Sequence, residues 1–371
     1  MKKTAVLGLL ITLITPALLW AQTEEKTSFF KALESRMPVD VQKITPTKTI
    51  KAPDLSLIGL VQGSVFQNEA RKDQSGILLK SLEIGVQGTL ASELRGDAFL
   101  SLTPQTNGTS QIAIEEAYIT FPSPFLADNL SAKLGKKRID FGKINALHAE
   151  SWGMVTKPSV MTQFLGNDGA VGQGLMIETK LPTPFSLNLS IGTWRNFSET
   201  PTTIGESFAF TDWLGSARLN TILNLSRDTE LELGSSVLMG SGTDFKVVQD
   251  KATVYGLDMT FKNWAKDGGM LWQSELLFLN RDWNDTTLRN WGAYTYFAYK
   301  FSPIFEAGLR LDISESAKDK TAHKSVSLIT TKTLNDATKF RIQFTKDYYS
   351  KDDQLLASLV FGLGSYSTAI R

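Results

Sequence analysis

The sequence predicts an all-β fold, a transmembrane antiparallel β-barrel of about sixteen strands, and three observations predict it. From Leu55 to Gly364 the chain is a string of roughly ten-residue segments in which apolar and polar side chains alternate, as a strand with one face in lipid and the other in a water-filled lumen requires. The connections between these segments alternate between short and long. The first 21 residues read as an export signal.

The alternation is plain in 229–239, where Leu231, Leu233, Val237 and Met239 oppose Glu230, Glu232, Gly234 and Ser236. In 306–313, Ala307, Leu309, Leu311 and Ile313 oppose Glu306, Gly308, Arg310 and Asp312. In the last hairpin, Phe340, Ile342 and Phe344 oppose Lys339, Arg341 and Gln343. The predicted strands are 55–66, 76–90, 92–103, 111–121, 130–138, 171–180, 185–195, 213–225, 229–241, 252–263, 269–281, 288–301, 303–314, 322–332, 337–348 and 353–364. A miscounted hairpin keeps an even number, so fourteen or eighteen strands stay open.

A soluble sandwich alternates too, but connection length separates the two. Counted from a periplasmic start, most even-numbered connections are tight and built from turn formers, among them Leu181-Pro182-Thr183-Pro184, Ser226-Arg227-Asp228, Ser302-Pro303 and Asn335-Asp336, with 122–129 longer. The others include the long ones, 67–75, 139–170, 196–212 and 242–251. Barrels of outer membranes have this asymmetry between periplasmic turns and outer loops. Trp291, Phe297, Tyr299 and Phe301 share the apolar face of one strand, with Tyr348 and Tyr349 at the opposite end of a later hairpin, as interfacial aromatic girdles would.

The expected domains are a signal peptide (1–21), a periplasmic N-terminal extension (22–54) and the barrel (55–371). Lys2 and Lys3 precede the apolar run 5–19, and Ala21 is a plausible residue before cleavage. Behind it no apolar run approaches the roughly 20 residues of a spanning helix. The chain has 0 Cys and a formal charge of +1. No disulfide framework is available, and no basic excess points to nucleic acid. Half-apolar alternation averages to a mean hydropathy of −0.10.

The most distinctive stretch is 115–174. It contains Glu116-Ala117-Tyr118, Gly135-Lys136-Lys137-Arg138, Phe141-Gly142-Lys143-Ile144-Asn145, Leu147-His148 and Phe164-Leu165-Gly166-Asn167-Asp168-Gly169. In this order it resembles the phosphate-selective porin O/P-like outer-membrane barrels and related Gram-negative barrels. The likeness covers about sixty residues closely and the rest as architecture. The resemblance implies a passive channel, with recognition by the barrel assembly machinery and contact with outer-membrane lipids and lipopolysaccharide. The C-terminus departs from the pattern, since Phe361 and Tyr366 are followed by a terminal Arg371 and not an aromatic residue.

Connection 139–170 is too apolar to lie in water: Phe141, Ile144, Leu147, Trp152, Met154, Val155, Val160, Met161, Phe164 and Leu165 all call for burial. As the third outer loop, folded into the lumen, it would narrow a barrel that otherwise leaves an open channel. Lys133, Lys137, Arg138 and Lys143 lead into it, and Lys157 lies beyond them. A basic constriction would favour anions. Glu116, Asp140, Glu150 and Asp168 lie close by, and ladders of opposite charge are the competing reading for Glu83, Asp97, Glu230, Glu232 and Glu275 with Arg95, Arg218, Arg310 and Arg341. The candidate constriction residues are therefore Lys133, Lys137, Arg138, Lys143, Glu116, His148 and Lys157.

His148 with Glu150 gives two metal ligands, too few for a site on sequence alone, so no metal and no cofactor is expected. His323 is the second of 2 His, and no spacing selects a serine for either. No nucleotide-binding glycine pattern is present. Segment 22–54 is too short for the plug of an energised receptor. The expected function is passive diffusion of small hydrophilic solutes or inorganic anions through an outer-membrane porin, a homotrimer being one compatible assembly. The alternative is a non-conducting surface, adhesion or structural barrel.

Overall fold

The computed structural model describes residues 52–364, apart from 92–93, 105–108, 124–127, 196–202, 205–207, 211, 244–248, 266–267, 284–285 and 318–319. The expected signal peptide, most of the N-terminal extension, and Tyr366 with the terminal Arg371 lie outside the described residues. The strands are β1 (Asp54–Phe66), β2 (Gly76–Ala91), β3 (Leu94–Pro104), β4 (Ser110–Phe121), β5 (Leu130–Arg138), β6 (Val171–Leu181), β7 (Ser186–Arg195), β8 (Thr203–Ile204), β9 (Phe208–Ala209), β10 (Trp213–Ser226), β11 (Thr229–Thr243), β12 (Gln249–Ala265), β13 (Gly268–Trp283), β14 (Thr286–Ser302), β15 (Phe305–Glu315), β16 (Ala322–Asn335), β17 (Thr338–Asp347) and β18 (Asp352–Gly364). A seven-residue helix α1 spans Ser159–Leu165.

Setting aside the two-residue β8 and β9, sixteen strands form one closed antiparallel barrel. Closure is made by β1, which pairs with β2 on one side and with β18 on the other, from Ser56↔Gly364 to Phe66↔Gln354. Among the described residues every long strand pairs on both sides, β4 with β5 over Ala117–Phe121 alone, which matters because unpaired backbone groups cannot be satisfied in hydrocarbon. The short hairpin β8–β9 falls within the expected loop 196–212, and Ala209 pairs with Thr243 of β11. β7 pairs directly with β10 across that connection.

The two faces of the wall are inverted relative to a soluble protein. On β14, Trp291, Phe297, Tyr299 and Phe301 are 40%, 45%, 44% and 58% exposed, while Tyr294, Tyr296 and Ala298 between them are buried. Glu275, Arg310, Asp312, Arg341 and Gln343 are buried on the opposite face of their strands from exposed Trp272, Leu309, Leu311 and Ile342. An apolar outer surface of this extent is stable only against hydrocarbon, since each buried side chain of this size is worth about 1.5–3 kcal/mol on leaving water. Among the described residues no helix is long and apolar enough to cross a membrane. The spans are strands.

Candidate functional site

Segment 139–170 links β5 to β6, and its local sequence explains how it is tied. Asn145 closes the neck: its Nδ2 donates to the carbonyls of Ile139 (2.8 Å) and Ala170 (3.0 Å), and its Oδ1 accepts the Ala170 N–H (2.8 Å). The Ile139 N–H also donates to the Ala170 carbonyl at 2.9 Å. Gly142 takes a φ of 59°, a left-handed conformation that glycine adopts without steric cost. That turn aims successive N–H groups at the wall. Gly142 donates to Ser236 Oγ of β11 (3.0 Å), Lys143 to Glu275 Oε2 (3.1 Å) and Ile144 to Glu275 Oε1 (2.9 Å). A Cβ on Gly142 would collide with the Glu275 carboxylate. The Phe-Gly-x-x-Asn pattern is thus a turn and a clamp in one.

Further along, Tyr296 OH of β14 donates to the Gly153 carbonyl (3.0 Å), and the Val155 N–H donates to Gln343 Oε1 of β17 (2.9 Å). The Ser159 N–H donates to Asp312 Oδ1 of β15 (3.1 Å), and Arg310 Nη1 donates to the Thr156 carbonyl (2.6 Å). Helix α1 buries Val160, Met161, Phe164 and Leu165, which join Phe141, Ile144, Trp194, Leu238, Val254, Leu277 and Leu279 in one apolar cluster. The segment therefore packs against the buried faces of β7 and β11–β15, with hydrogen bonds reaching β17.

Most of the charges singled out by sequence are paired. Lys133 Nζ lies 2.9 Å from Glu178 Oε2 on β6. Arg138 Nη2 lies 3.3 Å from Glu115 Oε2, and its Nη1 donates to the Asp168 carbonyl (2.8 Å). Lys143 Nζ is bonded to Glu232 of β11. Lys137 Nζ donates to the Arg138 carbonyl (2.9 Å) and lies 5.8 Å from the Tyr118 ring centre. Lys157 Nζ donates to the Asn167 carbonyl (2.6 Å) and lies 5.6 Å from the Trp152 ring centre. Burial, then the charge of Arg138, lowers the Lys157 pKa to about 8. Glu116 is buried and accepts the Arg138 N–H (2.8 Å).

The strands show the opposite-charge ladder. Arg218 meets Asp258 (Nη2–Oδ1 2.9 Å), Asp140 (3.5 Å) and Glu232 (3.9 Å). Arg310 meets Asp312 at 2.7 Å and Lys262 meets Glu230 at 3.0 Å. Beside the Lys133–Glu178 pair lies a polar cavity of about 440 Å³, lined by Ser131, Asp140, Asn188, Ser190 and Asn220.

The His148 ring faces carboxylates. Its Nδ1 is 2.8 Å from Glu83 Oε2 of β2 and 3.8 Å from Glu150 Oε1, its Nε2 is 3.9 Å from Glu116 Oε1, and the Phe99 ring lies 5.5 Å away. Burial lowers the imidazole pKa, but the bond and charge of Glu83 outweigh it and the net shift is upward. The alternation puts Glu83 among the charges of the ladder but does not link it to His148, and it does not single out Glu178. Alternation assigns a face to each residue but not its cross-strand neighbour.

No family model matches the chain. Among curated proteins, an uncharacterized protein of Aquifex aeolicus is 23% identical over 230 residues, 54% of this chain and 47% of that protein. The chain thus spans about half the length of that relative. Among solved structures, the anion-selective porin from Comamonas acidovorans superimposes with a TM-score of 0.57 at 10% identity, over 84% of this chain and 100% of the porin. The fold is that of the porins. The outer membrane channel DcaP of Acinetobacter baumannii gives a TM-score of 0.54 at 12% identity, over 85% of this chain and 99% of DcaP. OprB of Pseudomonas putida gives 0.56 at 10% identity, over 84% and 94%.

Proposed function

We propose that this chain is an outer-membrane porin, a passive path for small hydrophilic solutes in which segment 139–170 lies within the lumen and sets the constriction. One observation carries the reading. A closed barrel with an apolar outer face has an inner face of paired charges, and an apolar segment is hydrogen-bonded to that face at Ser236, Glu275, Asp312 and Gln343. The polar cavity beside Lys133 and Glu178 supports passage of hydrated solutes. Export by the N-terminal signal, insertion by the barrel assembly machinery, and contact with outer-membrane lipids and lipopolysaccharide go with the same reading. So does a homotrimer, a form one neighbour, OmpT of Vibrio cholerae, is described as taking. Membership of the phosphate-selective porin O/P-like group rests on the motifs of 115–174.

Anion preference is part of the proposal but weak. Lys133, Arg138 and Lys143 each face a carboxylate, so their fields largely cancel beyond the ~10 Å over which salt screens. Lys137 and Lys157, bonded to carbonyls, supply what remains. The test is the purified full chain in a planar bilayer. Discrete single-channel steps with a reversal potential slightly on the anion side are expected. A folded, heat-modifiable protein with no conductance would replace the porin by the non-conducting structural or adhesion barrel.

A further inference from the structure

We propose that Glu83, His148 and Glu150 bind one divalent transition-metal cation of the zinc or manganese class, which ties segment 139–170 to β2. One ligand atom from each residue lies within 4.8 Å of the others. Imidazole with carboxylates is a donor set for such ions, and cis ligands at ~2.1 Å from an ion sit about 3 Å apart. The 2.8 Å separation of His148 Nδ1 and Glu83 Oε2 matches that spacing. The 3.8 Å from Nδ1 to Glu150 Oε1 closes with a small turn of the Glu150 side chain.

The observation that points to a ligand is Glu150 itself. The residue is 7% exposed, and its Oε1 is buried and accepts no hydrogen bond. A buried carboxylate oxygen left without a donor costs roughly 1–3 kcal/mol or more, and an ion in the gap would satisfy it. Around it, Glu83, Glu116 and Glu150 are three buried carboxylates about one imidazole. Arg138 and Lys137 are cations that act on this group, and neither donates a hydrogen bond to Glu150 Oε1. The fourth group has the place of an outer support. With Nδ1 on the ion, Nε2 carries the proton and faces Glu116 Oε1 at 3.9 Å, and Glu116 is fixed by the Arg138 N–H. Phe99 against the ring supplies the apolar shell.

The site strengthens the link of the segment to β2. The other side-chain anchors run to β7, β11, β13–β15 and β17, and β2 is met at His148 by its 2.8 Å contact to Glu83, which the ion would replace by coordination that also engages Glu150. The proposal stands independently of whether the barrel conducts.

The test uses the purified full chain in detergent, treated with chelator, dialysed and shown to be folded by heat-modifiable migration. Zn²⁺ is titrated by calorimetry and Co²⁺ by visible absorption. The expected result is one Zn²⁺ per chain and a Co²⁺ ligand-field band that saturates at the same stoichiometry. Affinity should fall roughly tenfold or more in Glu150→Gln and in His148→Ala, and be unchanged in Glu178→Gln. Glu150→Gln keeps side-chain size and serves where His148→Ala does not fold. No saturable ion in the wild-type chain would overturn the proposal. So would Zn²⁺ binding that both site variants retain, which would place the ion elsewhere, for instance at His323.

Discussion

Glu275→Ala is the substitution that most directly tests how segment 139–170 is held. Glu275 is 2% exposed and accepts the N–H groups of Lys143 and Ile144 together with the Tyr294 hydroxyl (2.8 Å). Removing the carboxylate orphans two backbone donors, each worth about 1–3 kcal/mol when buried and unpaired, so the held state loses about 2–6 kcal/mol relative to a released one. Water entering the vacated space pulls the figure toward the lower end. Even about 3 kcal/mol shifts the population roughly a hundredfold. The barrel should persist, because its strands close without Glu275. Native-state trypsin cleavage after Lys143 or Lys157 should then rise at least tenfold, and single-channel records should show added conductance substates. Glu275→Gln keeps one oxygen able to accept from Ile144 and should show a smaller increase. Cleavage and conductance equal to wild type in a folded Glu275→Ala barrel would refute the anchoring argument.

Three other outcomes follow from the charges and the segment. Replacing both Lys133 and Glu178 by Gln should leave the reversal potential nearly unmoved, since the pair adds almost no net field, whereas Lys137→Gln should move it toward cations; a large shift in the double variant would show that Lys133 acts unpaired. Deleting 146–163 should raise conductance in a barrel that still runs as folded, and an unchanged conductance would mean the segment does not limit the path. The Lys157 pKa is lowered to about 8, so its positive charge is present below that pH and lost above it. Anion preference should therefore decline between about pH 7 and 9, and the difference between wild type and Lys157→Arg in that range isolates the effect.

The wall was readable because its period is physical. A strand that meets lipid on one side and polar groups on the other must alternate, and all sixteen predicted segments coincide with barrel strands to within a few residues. The even count and the 139–170 connection follow the same way. The short hairpin β8–β9 was read as loop because two-residue pairings carry no period. Pair identities were beyond reach for a different reason. Lys133 sits opposite Met176 in the β5–β6 register, so its partner Glu178 is a diagonal neighbour that appears only once the register is known. His148 and Glu83 meet across 65 residues of sequence. The Phe-Gly-x-x-Asn motif stood out as a pattern, yet its purpose, a neck closed by Asn145 and an N–H fan opened by Gly142, lies in the turn and not in the letters.

One irregularity in the alternation has a cause that joins the wall to the segment. On β13 the inward positions run Gln273, Glu275, Leu277, Leu279, changing from polar to apolar partway along, while Trp272, Leu276 and Phe278 face outward. On β12 the same change runs from Thr260 and Asp258 to Val254 and Ala252, and on β11 from Glu232 and Ser236 to Leu238. Over that stretch β13 is apolar on both faces, so Leu276-Leu277-Phe278-Leu279 reads as one unbroken run before the buried Arg281 restores a polar residue. A wall with water behind it would have no reason for this. Leu238, Val254, Leu277 and Leu279 are the surface on which Phe141, Ile144 and helix α1 rest, in a single apolar cluster. The segment is apolar where this stretch of β11–β13 is, and the two surfaces bury one another. The footprint of a packed segment is thus written in the strands as a local loss of period, beside positions such as Ser236 and Glu275 that stay polar because they hold its backbone.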